Sequence, residues 1–205
     1  MEYEKLKKKF DENGYVICQD LIENNEMLDF IGVYAYNLAR VCGTVSNDSD
    51  VPGSPSFYGD FVMENLGFFL QNKIEKITGT PLLQTYAFLR VYKYGDSLRA
   101  HIDRPACEIS VTLCLRYPQN EKIYPIYIDN TKYKKSRNME NGGVSQANLE
   151  MGSALIYRGC ECSHWRNKYT EGTKLAQVFL HYVDANGDSR QLKNDGRKDK
   201  FSLYL

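Results

Sequence analysis

Histidine is scarce in this chain: among 205 residues there are three, His101, His164 and His181. Any site built on imidazole must draw on those positions. Charge of one sign is lacking too. Lys and Arg number 26, Asp and Glu 26, so the formal net charge is zero, and binding of nucleic acid by bulk charge is excluded. No run of 18 apolar residues occurs, so no membrane-spanning segment is expected. The first residues, Met-Glu-Tyr-Glu-Lys-Leu-Lys-Lys-Lys, hold no apolar stretch, so no secretory leader is visible and the expectation is a cytoplasmic protein. Zinc-type Cys-x-x-Cys pairs are missing, since Cys160-x-Cys162 is too tight, and all six cysteines read as reduced thiols. There is no internal repeat.

What is present suffices for one domain. Hydrophobic residues make up 42% and aromatics 13%, with 16 tyrosines, which excludes a disordered chain. Up to residue 80 the pattern is helical. Leu6 and Phe10 share a face over residues 1–12; Asn13-Gly14 stops that helix, and Tyr15–Cys18 follows as a short strand. A second helix opens at Asn24 and carries Met27, Leu28, Ile31 and Leu38. A third runs from Met63 to Ile77 with Leu66, Phe69, Leu70, Ile74 and Ile77 on its stripe, ending at Gly79. Residues 43–57, rich in Ser, Asp, Pro and Gly, read as a loop near the site entrance.

From residue 82 the period becomes two. Strands are expected over 82–94, 98–103, 107–115, 123–128, 144–149, 153–157 and 175–183, with Asn130–Gly143 as a patternless flap. In the 107–115 strand, Ile109, Val111, Leu113 and Leu115 form an apolar face, and Ser110, Thr112 and Cys114 an opposite, hydrogen-bonding one. The expected architecture is mostly β with N-terminal helices: a double-sheet jelly roll backed by helices. The whole chain, 1–205, reads as a single domain, with helical support over 1–80, a β core over about 82–183 and a polar tail over 184–205.

The chemistry concentrates in Tyr92-Lys-Tyr-Gly-Asp-Ser-Leu-Arg-Ala-His101-Ile-Asp103. In an extended chain His101 and Asp103 point the same way and can grip one ion. A third ligand fits His164, in Ser-His-Trp-Arg, 61 residues beyond Asp103. Two imidazoles and one carboxylate leave positions open on Fe(II), whereas a zinc hydrolase would share the ligands without needing a trailing cation. That cation stands ten residues after His164, at Lys174.

On these residues the chain resembles the Fe(II)/2-oxoglutarate-dependent dioxygenases, and the ten-residue step to a lysine is similar to the prolyl 4-hydroxylase branch. The resemblance covers about residues 82–183 and implies a double-stranded β-helix with the metal at its open mouth. It implies His101, Asp103 and His164 as Fe(II) ligands, and O2 and 2-oxoglutarate as cosubstrates. Lys174 and Tyr92, nine residues before His101, would hold the distal (C5) carboxylate of 2-oxoglutarate. Ala176, Val178 and Leu180, on the face of Lys174, would form the pocket wall. Thr112 would line the cosubstrate pocket, and Arg104 and Trp165 are candidates for substrate contact. His181 is expected to be structural. Many relatives carry Arg in place of Lys174, and the oxygen-sensing prolyl hydroxylases carry Tyr where Cys114 stands. The implied activity is hydroxylation of a C–H bond, prolyl 4-hydroxylase-like, on a peptide or protein, with succinate and CO2 as co-products. Alternatives are a hydroxylase of a small metabolite or free amino acid, and a non-catalytic jelly-roll binding module. No nucleic-acid or membrane partner is expected.

Overall fold

The computed structural model describes residues 2–43 and 48–198. Three helices come first: α1 (Glu2–Asn13), α2 (Asn25–Cys42) and α3 (Phe61–Thr78). Asn24 caps α2 by accepting from the Met27 amide, and Asp60 caps α3 by accepting from Val62 and Met63, which satisfies amides the helix itself leaves open. Gly79 ends α3 in the left-handed region, φ 69°, and of the expected stripe Leu66, Leu70, Ile74 and Ile77 are buried while Phe69 faces solvent.

Two antiparallel sheets follow. The larger has the order β1 (Tyr15–Cys18), β8 (Ala154–Arg158), β5 (Ile109–Arg116), β10 (Lys174–Asp184), β3 (Leu82–Lys93), β2 (Ser56–Tyr58). The smaller has the order β4 (Leu98–His101), β9 (Ser163–Arg166), β6 (Ile126–Asp129), β7 (Val144–Ala147). The fold is the expected double-stranded β-helix backed by helices.

Alternation divides the core in two. Ile109, Val111, Leu113 and Leu115 of β5 join Ala176, Val178 and Leu180 of β10 under the three helices. The opposite faces look into the space between the sheets, where Tyr92, Cys114, Leu155, Tyr157, Leu175 and Phe179 cluster with Ile126 and Ile128. The β5 faces are therefore the expected ones. The β10 faces are reversed: Ala176, Val178 and Leu180 pack on helices and form no pocket wall.

Three further expectations are corrected. The second strand of the core stops at His101, because Arg104 precedes a proline and Pro105 opens a short 3-10 turn over Pro105–Cys107. Residues 130–143 are not a patternless flap: α4 (Thr131–Ser136) forms there, with Asp129 Oδ1 accepting from the Thr131 amide at 2.9 Å and Tyr133 buried against Gly14. The 43–57 loop contains β2; its residues 44–47 lie outside the described ones, as do 199–205 of the tail. The described part of the tail folds back over β3. Arg104 makes a two-pronged pair with Asp195 at 2.7 Å on each arm, and Arg197 pairs with the buried Glu64 at 2.8 Å. No described helix is long and apolar enough to cross a membrane.

Candidate metal centre

His101 ends β4, His164 lies on β9, and the two are register partners on neighbouring strands. Their rings stand 4.3 Å apart by centroid. Asp103 reaches in from the loop after β4. Its Oδ1 lies 3.7 Å from His101 Nε2 and 3.6 Å from His164 Nε2. Each imidazole is steered from behind. His101 Nδ1 donates to the Arg99 carbonyl at 2.9 Å and His164 Nδ1 to the Cys162 carbonyl at 3.2 Å. With its proton on Nδ1, each ring turns an unprotonated Nε2 towards Asp103, which is how metal-binding histidines are set. Ser110 donates to Asp103 Oδ2 at 2.7 Å and leaves Oδ1 facing the rings. Two ligands about 2.1 Å from an ion at a right angle lie roughly 3 Å apart, so each imidazole–carboxylate pair closes on a metal with a shift under about 1 Å. The donor set therefore fits a divalent transition metal.

Gly159 makes room for this. A Cβ there would stand 2.4 Å from Asp103 Oδ2, and the Gly159 carbonyl accepts from the Asp103 amide at 2.9 Å. Only a residue without a side chain lets the β8–β9 turn hold the ligand loop this closely.

A second set, Asp103, Cys107 and His181, also has ligand atoms within 4.8 Å of one another. Its chemistry is poorer. His181 Nδ1 donates to Ser110 at 3.0 Å, and burial pushes the Cys107 thiol far above its ordinary value. Thiols, not thiolates, bind metals weakly. His181 is nonetheless no bystander, since it lines the cavity beside the first set. Burial lowers its pKa from 6.5 to about 4. The unfolded chain thus takes up a proton as pH falls through 6.5 while the folded chain does not, and stability conferred above pH 6.5 is lost towards pH 4. Between pH 7 and 4.5 the metal-free protein should lose about 2–3 kcal/mol through this residue. Denaturant titration of the parent and of His181→Gln at both pH values checks it; the variant's acid loss should be smaller by that amount.

The cavity over the centre has a volume of about 190 Å³ and is lined by His101, Asp103, His164, Tyr157, Phe88, Phe179, Arg90 and His181, with Asp48 and Asp50 at its side. Two strand steps below His181, Arg90 of β3 and Gln177 of β10 are register partners. Arg90 Nη1 donates to the Tyr92 hydroxyl at 3.1 Å, and Nη2 pairs with Asp48. Arg166, two residues past His164 and on the same face of β9, is 2% exposed. It donates to Gln177 Oε1 and the Tyr124 carbonyl and lies against the Tyr92 ring. Burial depresses its pKa, and among the described residues no carboxylate pairs with it. Two buried guanidiniums thus share one acid. Three donors here have no acceptor among the described residues: Arg90 Nε, Arg166 Nε and Gln177 Nε2. A buried cation and unfilled donors are costly without an anion to meet them.

Of the expected site residues, the structure brings together His101, Asp103 and His164, places Thr112 and Tyr92 on the inner faces, and leaves three outside. Lys174 is exposed, with Nζ over the Tyr36 ring at 4.3 Å. It shares the helix-side face of β10 because side chains alternate and the inward residues are Leu175, Gln177, Phe179 and His181. Arg104 is engaged by Asp195 on the rim. Trp165 stacks on Tyr127, its cross-strand partner, on the outer face of the smaller sheet. Arg90 and Tyr157, which line the cavity, and Arg166 and Gln177, which lie beneath it, were given no site role from the sequence.

No family model and no curated protein matches the chain. Solved structures do. A prolyl hydroxylase from Trichoplax adhaerens, in complex with a hypoxia inducible factor oxygen degradation domain peptide fragment, aligns with TM-score 0.71 at 15% identity over 95% of this chain and 93% of that one. A Pseudomonas putida prolyl-4-hydroxylase aligns with TM-score 0.65 at 11% identity, over 88% and 98%. The epimerase SnoN, in complex with Fe3+, alpha ketoglutarate and nogalamycin RO, aligns with TM-score 0.68 at 11% identity, over 90% and 84%. At such identities the likeness is one of fold.

Proposed function

We propose that this protein is an Fe(II)- and 2-oxoglutarate-dependent dioxygenase that hydroxylates a C–H bond, with succinate and CO2 as co-products. The observation that carries the reading is the convergence of two unprotonated imidazole nitrogens and one carboxylate oxygen above a buried surplus of positive charge. His101, Asp103 and His164 would hold Fe(II). The distal carboxylate of 2-oxoglutarate would meet Arg90 and Tyr92, with Arg166 behind them, in place of Lys174. Asp48 pairs with Arg90, so one carboxylate brought in would balance the second guanidinium, and its oxygens would supply acceptors to the unfilled donors. When bound, the metal and cosubstrate supply the activation of O2 and the oxidising power. The chain fixes the two imidazole tautomers and holds Asp103 through Ser110.

A prolyl side chain of a peptide or protein is the first substrate class, supported by the prolyl hydroxylases that share the fold over nearly their whole length. A small metabolite or free amino acid is the second. It gains from the outward position of Lys174, the residue that pointed to the prolyl branch, and from a cavity small enough that 2-oxoglutarate fills most of it.

The test has two stages. Mn(II) should bind anaerobically, and 2-oxoglutarate should then bind to the Mn(II) form. With Fe(II) and O2, succinate release should be stimulated by a panel of proline-containing peptides more than by free amino acids. Metal binding without succinate formation from any panel would leave a non-catalytic binding module.

A further inference from the structure

Tyr157 was not marked by any motif, yet it occupies the wall of the cavity beside the metal centre. It lies on β8 and is 1% exposed. Its hydroxyl stands 3.3 Å from His164 Nε2 and 3.4 Å from Thr112 Oγ1. His164 carries its proton on Nδ1, so Nε2 is the acceptor and Tyr157 the donor. Burial, with Asp103 close by, holds the phenol well above its ordinary pKa, so at neutral pH it keeps its proton.

Metal binding changes this bond. The Nε2 lone pair that accepts from Tyr157 is the one a metal takes, and the phenol then loses its partner. A buried O–H left without an acceptor is destabilising, so the proton must turn elsewhere. Inside the protein two hydroxyls compete for it. Thr112 is at the long end of hydrogen-bond distance, and Ser110, which donates to Asp103 at 2.7 Å and accepts from His181 at 3.0 Å, has one lone pair left. The third direction is the cavity itself, which Tyr157 lines.

Building on the reading above, we infer that the Tyr157 hydroxyl is the hydrogen-bond donor to the 2-oxo acid end of 2-oxoglutarate, released for that role when the metal displaces it from His164. The residue acts on the cosubstrate's near end, opposite to Arg90 and Arg166 at its far end. It also makes binding ordered: before metal enters, the donor is engaged, and afterwards it is available.

The experiment is an anaerobic titration of the full chain with Co(II) and then with 2-oxoglutarate, followed by the visible absorption of Co(II), for the parent and for Tyr157→Phe. The phenyl ring keeps the packing and removes only the hydroxyl. Co(II) affinity should be kept or rise, since the metal no longer displaces a hydroxyl from His164, while the dissociation constant for 2-oxoglutarate should rise about tenfold to a hundredfold, the range of one hydrogen bond to a charged acceptor. The Co(II) bands of the ternary complex should also differ from the parent's. An unchanged 2-oxoglutarate affinity in Tyr157→Phe, against a normal response in the parent, would mean that Thr112 or Ser110 keeps the proton and overturns this inference alone. Equal losses of Co(II) and 2-oxoglutarate affinity with a lowered melting temperature would mark a packing role and overturn it too. A parent that binds Co(II) but does not respond to 2-oxoglutarate overturns the dioxygenase reading and this inference with it.

Discussion

His164→Ala should remove metal binding, whereas His181→Ala should leave it. The contrast decides between the two three-residue sets that share Asp103. In the first set both imidazoles have their protons fixed on Nδ1 by backbone carbonyls, and Asp103 turns a free oxygen to both. In the second, His181 and the other Asp103 oxygen are tied to Ser110, and the thiol is held protonated. Losing a hydrogen-bond partner behind a ligand weakens metal affinity about 10–100-fold; losing the ligand itself should cost more, so the fall in Mn(II) affinity should exceed about a hundredfold. Equilibrium dialysis or the Mn(II) spin-resonance signal reads it. His101→Ala should match His164→Ala. If His181→Ala were the damaging change, the ion would belong to the second set.

Arg90→Ala should lower 2-oxoglutarate affinity by about a hundredfold to several thousandfold, and Lys174→Ala by less than about threefold. Removing one partner of a buried charge pair leaves the other unpaired at about 3–5 kcal/mol, and 1.4 kcal/mol is tenfold. Arg90→Ala also strands Asp48, so the variant should be paired with Asp48→Asn to keep the chain folded. Arg90→Lys keeps the charge but not the planar fork and should fall in between. Lys174 is an exposed cation resting on Tyr36, and surface interactions of that kind contribute little. Isothermal titration of the Mn(II) form separates the two variants. Equal losses in both would return the far carboxylate to Lys174.

These contrasts mark where the sequence was legible. The His-x-Asp and the distant histidine were visible because ligand chemistry tolerates few residue types. The faces of β5 were visible because one was wholly apolar and the other carried Ser110, Thr112 and Cys114. The same rule applied to β10 would have put Gln177 and His181 inside, opposite Ala176, Val178 and Leu180. Counting ten residues from His164 instead gave the wrong parity, since the loop between β9 and β10 sets the phase of the strand and a strand buried on both faces does not display it. Arg166 carried a signal, two residues from His164 and so on the same face. Arg90 had it too, sharing a face with Tyr92, without a role being assigned. Tyr157 had none: its place is set by the pairing of β8 with β5, far apart in the chain. The helix inside 130–143 escaped because its one buried anchor, Tyr133, meets Gly14 across the fold.

The position of β10 has a consequence for how the chain acquires its shape. This strand lies between β5 and β3, and no other described strand joins those two. It pairs Lys174 with Lys93 and Asp184 with Leu82, so the larger sheet stays in two pieces until the strand arrives. During synthesis His101, Asp103 and His164 all emerge before it. A nascent chain ending at Arg166 therefore carries every ligand and all four strands of the smaller sheet, but not the completed larger sheet that faces it. Closing such long intervals comes late and slowly, in the millisecond-to-second range of sheet-rich topologies. Metal captured by the unfinished chain would sit on a small sheet with nothing packed across from it, so loading with iron should follow completion of the larger sheet and not guide it.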